Sequence, residues 1–218
     1  MTLTEISQAW LAEVSSGRAL WDSYASVYRL AVGLFLAVVV GTPLGLLLGH
    51  SVRTFRWLAT PLNFLRSISP LAWIPFAVVW FGVGDWPVVF LVFVGTVLPW
   101  IFSSATAVTT VPEVYFQVAR DHRVEGTALF SDIIFPAMLP TLVRNFRVIA
   151  TLAWVILVPA EMLAGREGLG FAIMDARNGM RLDLLIFNML LIGAFAHLQD
   201  LFLARLLRHP TLRWGHAR

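Results

Sequence analysis

The run PVVFLVFVGTVLPWIFSSATAV, residues 87–108, holds twenty-two residues without a charge. A hydrocarbon core about 30 Å thick is crossed by ~20 apolar residues in a helix rising about 1.5 Å per residue, so this run reads as a membrane span. Its neighbours repeat the pattern. Residues 30–48 carry no charge, and residues 142–163 and 184–204 are mostly apolar. Residues 68–83 are apolar but short, and Pro70 and Pro75 interrupt them. A proline-broken helix is tolerated in a membrane only where protein or water satisfies the freed backbone groups. The expected spans are about 27–48, 68–83, 87–108, 142–163 and 184–204, in one transmembrane domain covering residues 1–218. The fold class is all-α and integral to the membrane, a bundle of about five helices.

Composition agrees. Of 218 residues, 58% are hydrophobic and 13% charged, where a soluble domain is nearer a quarter charged. The chain has no cysteine, so disulfides and thiolate metal sites are excluded. All 16 basic residues are arginine. The pI of about 10.2 reflects Arg-rich cytoplasmic loops rather than nucleic-acid binding. With no lysine, a G-x-x-x-x-G-K-[ST] phosphate loop is impossible. Neither H-E-x-x-H nor G-x-S-x-G occurs. The chain reads as a non-enzyme that holds no metal or cofactor of its own.

Between the spans the reading is local. Residues 1–24 look interfacial, with Trp10 and Trp21 at headgroup level, and no secretory signal is evident. Gly33, Gly41, Gly45 and Gly49 mark a face for close helix approach. Residues 109–131 form a polar stretch with Glu113, Arg120, Asp121, Arg123 and Glu125, and Pro136 and Pro140 are expected to end it. Residues 165–183 read as a polar loop. Arg53, Arg56, Arg66, Arg120, Arg123, Arg144, Arg147 and the tail from Arg205 to Arg218 fall on one side of five spans. The positive-inside rule puts that side, the polar loop and the C-terminus in the cytoplasm, and Arg18 and Arg29 outside. Glu161 near the end of its span reads as structural or gating, because ionisable groups in spans are costly, with an interfacial, snorkelling position as the alternative. His197, Gln199 and Asp200 read as a satisfied polar cluster, with a proton relay as the alternative.

The polar stretch resembles the EAA loop of ABC-importer permeases. Gln117-Val118-Ala119 is followed by Arg123 and then by Ile133-Ile134-Phe135-Pro136. The spacing agrees throughout. Ala119, Ile133 and Pro136 agree in identity, while Gln117 stands for Glu and Arg123 for Gly. Gly41-Thr42-Pro43-Leu44-Gly45, Pro70-Leu71-Ala72-Trp73-Ile74-Pro75, Ala160-Glu161-Met162-Leu163 and Gly168-Leu169-Gly170-Phe171 are similar to segments of the nitrate, sulfonate, taurine and bicarbonate permeases. The similarity runs from about residue 3 to Trp214. One departure is that family members usually carry one more N-terminal span.

The resemblance implies a type I ABC-importer permease bundle with a cytoplasmic coupling loop at about 109–140. The coupling residues would be Gln117, Val118, Ala119, Arg123, Gly126, Ile133 and Pro136. Gating candidates are Glu161, Trp154 and Pro75. Partners would be an ATP-binding cassette ATPase that binds ATP and Mg, a periplasmic solute-binding protein, a second permease copy in a homodimer, and the lipid of a bacterial inner membrane. The solute would be a small anion such as nitrate or a sulfonate. Arg123 at a family glycine suggests a diverged ATPase partner, because Arg strains a positive-φ turn. Two alternatives stand: an accessory permease with weakened coupling, and a stand-alone secondary transporter, which would normally show an internal repeat.

Overall fold

The computed structural model describes residues 3–50, 52–124 and 126–207. Glu125 and the tail arginines Arg208, Arg213 and Arg218 lie outside the described residues. Among those described there is no strand. Helix α1 is Leu3–Ser15, α2 Arg18–His50, α3 Val52–Ser67, α4 Ile74–Phe81, α5 Asp85–Thr109 and α6 Glu113–Asp121. A short α7, Gly126–Ala128, runs through a π-helical segment, Leu129–Ile134, into α8, Phe135–Ala164. Helix α9 is Leu169–Asn178 and α10 is Leu182–Leu207.

Four stretches are long and apolar enough to cross a membrane: Arg18–Gly49, Asp85–Thr109, Leu129–Ala164 and Leu182–Leu207. A fifth is broken, with Phe55–Ser67 meeting Pro70–Phe81 at a 76° bend. Packing shows why the broken pair must be a crossing. Gly33 of α2 faces Val89 and Val92 of α5, Gly41 faces Val97 and Trp100, and Gly49 faces Ala105 and Val108. Both chains advance in the same direction, so α2 and α5 are parallel. The chain between them has to return from one end of the bundle to the other, and the broken pair makes that return.

The glycines of α2 serve α5. A Cβ on Gly33 would lie 2.6 Å from Val92 Cγ1, one on Gly41 2.8 Å from Trp100 Cδ1, and one on Gly49 2.8 Å from the Ala105 carbonyl oxygen. Small residues let the two backbones approach, and dispersion over the close interface replaces the hydrophobic drive that lipid does not supply. Trp100 Nε1 donates to Thr42 Oγ1 across the same seam at 2.8 Å. Leu91, Val92, Ala150, Ala153 and Leu157 continue the core into α8. Helix α10 sits at the edge. Arg147 of α8 pairs with Asp200 through both nitrogens, Nη2 to Oδ2 at 2.6 Å, and Trp154 Nε1 donates to Gln199 Oε1 at 2.9 Å.

Several boundaries differ from the sequence reading. Residues 1–24 are not one interfacial segment. Helix α2 already begins at Arg18, while α1 docks on the start of α10, where Trp10 Nε1 donates to the Asp183 carbonyl at 3.0 Å. Between two of the expected spans, Val52–Ser67 forms α3, half of the broken span. Residues 165–183 contain α9. Pro136 and Pro140 do not end the polar stretch. Pro136 follows the π-helical segment within one continuous helix, Leu129–Ala164, and the π geometry accommodates its missing donor. Pro140 is buried within the helix, and local π adjustment of the kind seen at 129–134 accommodates such residues in a span.

Candidate functional site

At one end of the bundle α6 stands between α5 and α7. Its sequence is polar but for Val114, Tyr115, Phe116, Val118 and Ala119. Ala119 is buried, whereas Val114 and Val118, one turn apart, are 63% and 48% exposed. Two apolar side chains thus project from the helix face away from the bundle. The helix ends in a two-bond turn. The Val124 N–H donates to the Ala119 carbonyl at 2.9 Å and the Arg123 N–H to that of Arg120 at 3.1 Å. That bonding needs a left-handed residue after the cap, and Arg123 supplies it at φ 54°. Glycine at the corresponding family position is explained by the same geometry. Gln117 is exposed on α6, Gly126 has φ +64°, Ile133 lies half-buried in the π segment, and Pro136 is exposed on α8.

A cavity of about 700 Å³ opens between the break after α3, α5 and α8. Arg66, Ser103, Thr106 and Asn145 are its polar walls toward the α6 end, and Val94, Leu98 and Ile156 are apolar walls toward the other. The Arg66 guanidinium carbon lies 5.8 Å from the centre of the Phe102 ring. Glu161, Trp154 and Pro75 do not line this cavity. Trp154 is buried against Gln199, and Pro75 is exposed in the first turn of α4.

Glu161 belongs to a second polar centre at the opposite end. Its side chain is fully buried, and it faces Arg29, which is 1% exposed. Arg29 Nη1 donates to Glu161 Oε1 at 2.9 Å and to the Glu167 carbonyl at 2.6 Å. Its Nε donates to Asp85 Oδ1 at 2.7 Å. The opening of α9 is captured by the same group. The N–H groups of Gly168, Leu169 and Gly170 donate to Asp22 Oδ1, Ser26 Oγ and Glu161 Oε2 at 2.8, 2.8 and 2.9 Å. Gly168 has φ +110°, and a Cβ there would press into the Glu161 carboxylate and within 2.7 Å of Arg29 Nη1. Helices α2, α8, α9 and the start of α5 are tied together at one point.

Sequence reasoning counted Arg29 only as a charge on the outer side of the membrane and gave it no part in a site. The signal was present: Asp22, Ser26 and Arg29 are spaced to share one face of a helix, once that helix is carried back to Arg18.

Residues 41–209 match the family model described as binding-protein-dependent transport system inner membrane component. The chain is 34% identical over 181 residues to a nitrate import permease of Synechocystis sp., covering 83% of this chain and 66% of that one. It is 33% identical over 189 residues to a bicarbonate transport permease of Synechococcus elongatus, covering 86% and 68%. It is 30% identical over 194 residues to a taurine transport permease of Escherichia coli, covering 88% and 70%. The curated relatives compared are covered over 57% to 74% of their own length. Its fold is similar to that of the inward-facing MetNI methionine ABC transporter, with a TM-score of 0.77 at 19% identity, covering 90% of this chain and 97% of that one.

Proposed function

Because the chain belongs to the family of binding-protein-dependent transport system inner membrane components, we propose that it forms the membrane pathway of an ATP-driven importer for a small anionic solute. The relatives named for nitrate, bicarbonate and taurine support the solute class. In this reading the α6 end faces the cytoplasm, where Arg53 and Arg56 of α3 and Arg120 of α6 lie. Helix α9 then faces outward toward a binding protein. ATP and Mg are bound by a separate ATPase, and two permease copies flank the path.

The observation that carries this reading is the exposed Val114–Val118 pair on a short helix whose end is fixed by Ala119 and the Arg123 turn. Exposed apolar side chains on a short helix with charged ends fit a groove on a partner. The reading of a decayed coupling loop rested on Gln117 and Arg123. Since Arg123 itself adopts the left-handed turn, the geometry does not depend on glycine, and this supports a loop that still docks.

The test is reconstitution in liposomes with an ATP-binding cassette ATPase and a solute-binding protein from the same organism. Nitrate, bicarbonate and taurine are supplied in turn. A stable complex is expected whose ATP hydrolysis rises when the binding protein carries one of them. Failure to assemble with the ATPase would refute the reading. So would labelling of residues 113–124 from outside the cell.

A further inference from the structure

We propose that the cavity between α3, α5 and α8 is an anion-selecting segment of the path and that Arg66 is the residue that selects. The proposal rests on the importer reading for the direction of transport, but not for the chemistry of the cavity. Arg66 sits in the last turn of α3, just before the break at Pro70. By sequence it falls in a mixed segment between two expected spans; in the fold it is a charge within a broken span. Charges at such positions are costly and line pathways or find partners.

The arginines of the spans differ in how they are neutralised. Arg29 faces Asp85 and Glu161, and Arg147 faces Asp200. Arg66 instead has the face of Phe102, and no acidic side chain lines the cavity among the described residues. An aromatic face orients a guanidinium without cancelling its charge or occupying all of its donors. Those N–H groups match the paired oxygens of a nitrate, carbonate or sulfonate group. Ser103, Thr106 and Asn145 add neutral hydrogen-bonding groups nearby. The low-dielectric walls concentrate the field of a lone cation, which attracts anions and repels cations.

The chain has no cysteine, so Ser103→Cys gives the permease a single thiol, in the cavity wall, and its labelling is read on the permease band of the full importer. Its labelling rates with a sulfonate-bearing and a trimethylammonium-bearing methanethiosulfonate are compared, each normalised to a free thiol. The anionic reagent should be favoured about tenfold, as expected for one nearby charge in a partly screened site. The preference should vanish with Arg66→Gln and persist with Arg66→Lys. Nitrate should slow labelling in phosphatidylcholine liposomes. A preference indifferent to Arg66→Gln would overturn the proposal. Equal protection from both reagents would too, since a second copy would then fill the cavity. Protection only when phosphatidylglycerol is present would assign the cation to lipid and overturn it as well. In transport, Arg66→Gln should lower anion uptake at least about tenfold while ATP hydrolysis still responds to the loaded binding protein. Unchanged uptake with intact coupling would sink the role of Arg66 alone, whereas a wild-type complex that ignores the binding protein would sink the importer reading.

Discussion

Replacing Arg29 by methionine removes the cation that faces Glu161 while keeping much of the buried volume. The magnitude follows from how each acid is exposed. The side chains of Asp85 and Glu167 are 49% and 38% exposed, so water takes the place of Arg29 for them. Glu161 is fully buried and has no such recourse. A buried charge stripped of its partner costs about 3–5 kcal/mol. For a chain of this length about 1 kcal/mol shifts a melting temperature by ~2–4 °C, so Arg29→Met should lower it by about 10 °C. Glu161→Gln keeps the shape and an acceptor for Ser26, and loses charge-assisted bonds worth ~1.5–3 kcal/mol. The double variant no longer buries a lone carboxylate. It should be clearly more stable than the sum of the two single effects predicts.

The assay is tryptophan fluorescence on heating the purified protein in detergent, at one scan rate because unfolding of such proteins is often irreversible. The nine tryptophans supply the signal. If the two losses simply add to within about 0.5 kcal/mol, the pair is not coupled and the account of this centre fails.

Gly45→Ala should destabilise the protein by about 1–3 kcal/mol, because its Cβ would lie 2.6 Å from the Ile101 carbonyl oxygen; Gly193→Ala, with nothing within 4 Å, should leave the melting temperature unchanged or raised. Trp154→Phe strips the donor from Gln199 and should cost about 1–3 kcal/mol, which chemical denaturation in mixed micelles would measure. Val118→Asp lies on an exposed face and should alter stability by less than about 0.5 kcal/mol while abolishing co-purification with the ATPase; a complex of undiminished yield would count against docking through α6. Arg123→Gly relieves a left-handed residue worth about 1–2 kcal/mol and should slow amide exchange at Ala119 to Val124; faster exchange there would show that the arginine side chain, not the turn, holds the helix end.

The spans were legible because lipid demands long apolar runs and little else produces them. Residues 87–108 and the glycines of α2 carried that signal directly. Their ends were not legible, because a helix that leaves the apolar layer continues as long as its polar residues find partners. Arg29 and Asp22 look like a boundary by composition, yet three N–H groups of α9 and the carboxylate of Glu161 make them interior. Arg66 was hidden for a related reason. It lies among other arginines between two apolar runs, and only the fold shows that α3 is half of a broken span with Arg66 against Phe102 of α5. The loop containing Arg123 was legible in spacing and misleading in identity. Glycine is the common solution to a left-handed turn, but the turn is fixed by two backbone bonds that arginine can also make.

The two polar centres lie toward opposite ends of one long helix. Helix α8 holds 30 residues, about 45 Å at ~1.5 Å per residue. It runs from the π segment beside α6 to Glu161 and α9. The glycine seam binds α2 to α5, and the core residues of α5 bind α8, so these three helices form a close-packed block that resists shear. A displacement applied at α6 therefore reaches α9 as rotation of the whole block rather than as bending within it. The broken span and α10 are less enclosed: only 22% of the α10 window is buried, against 56% for α5. Motion between states should concentrate at the 76° bend and at the cavity beneath it, which is where a charge such as Arg66 would meet or release an ion.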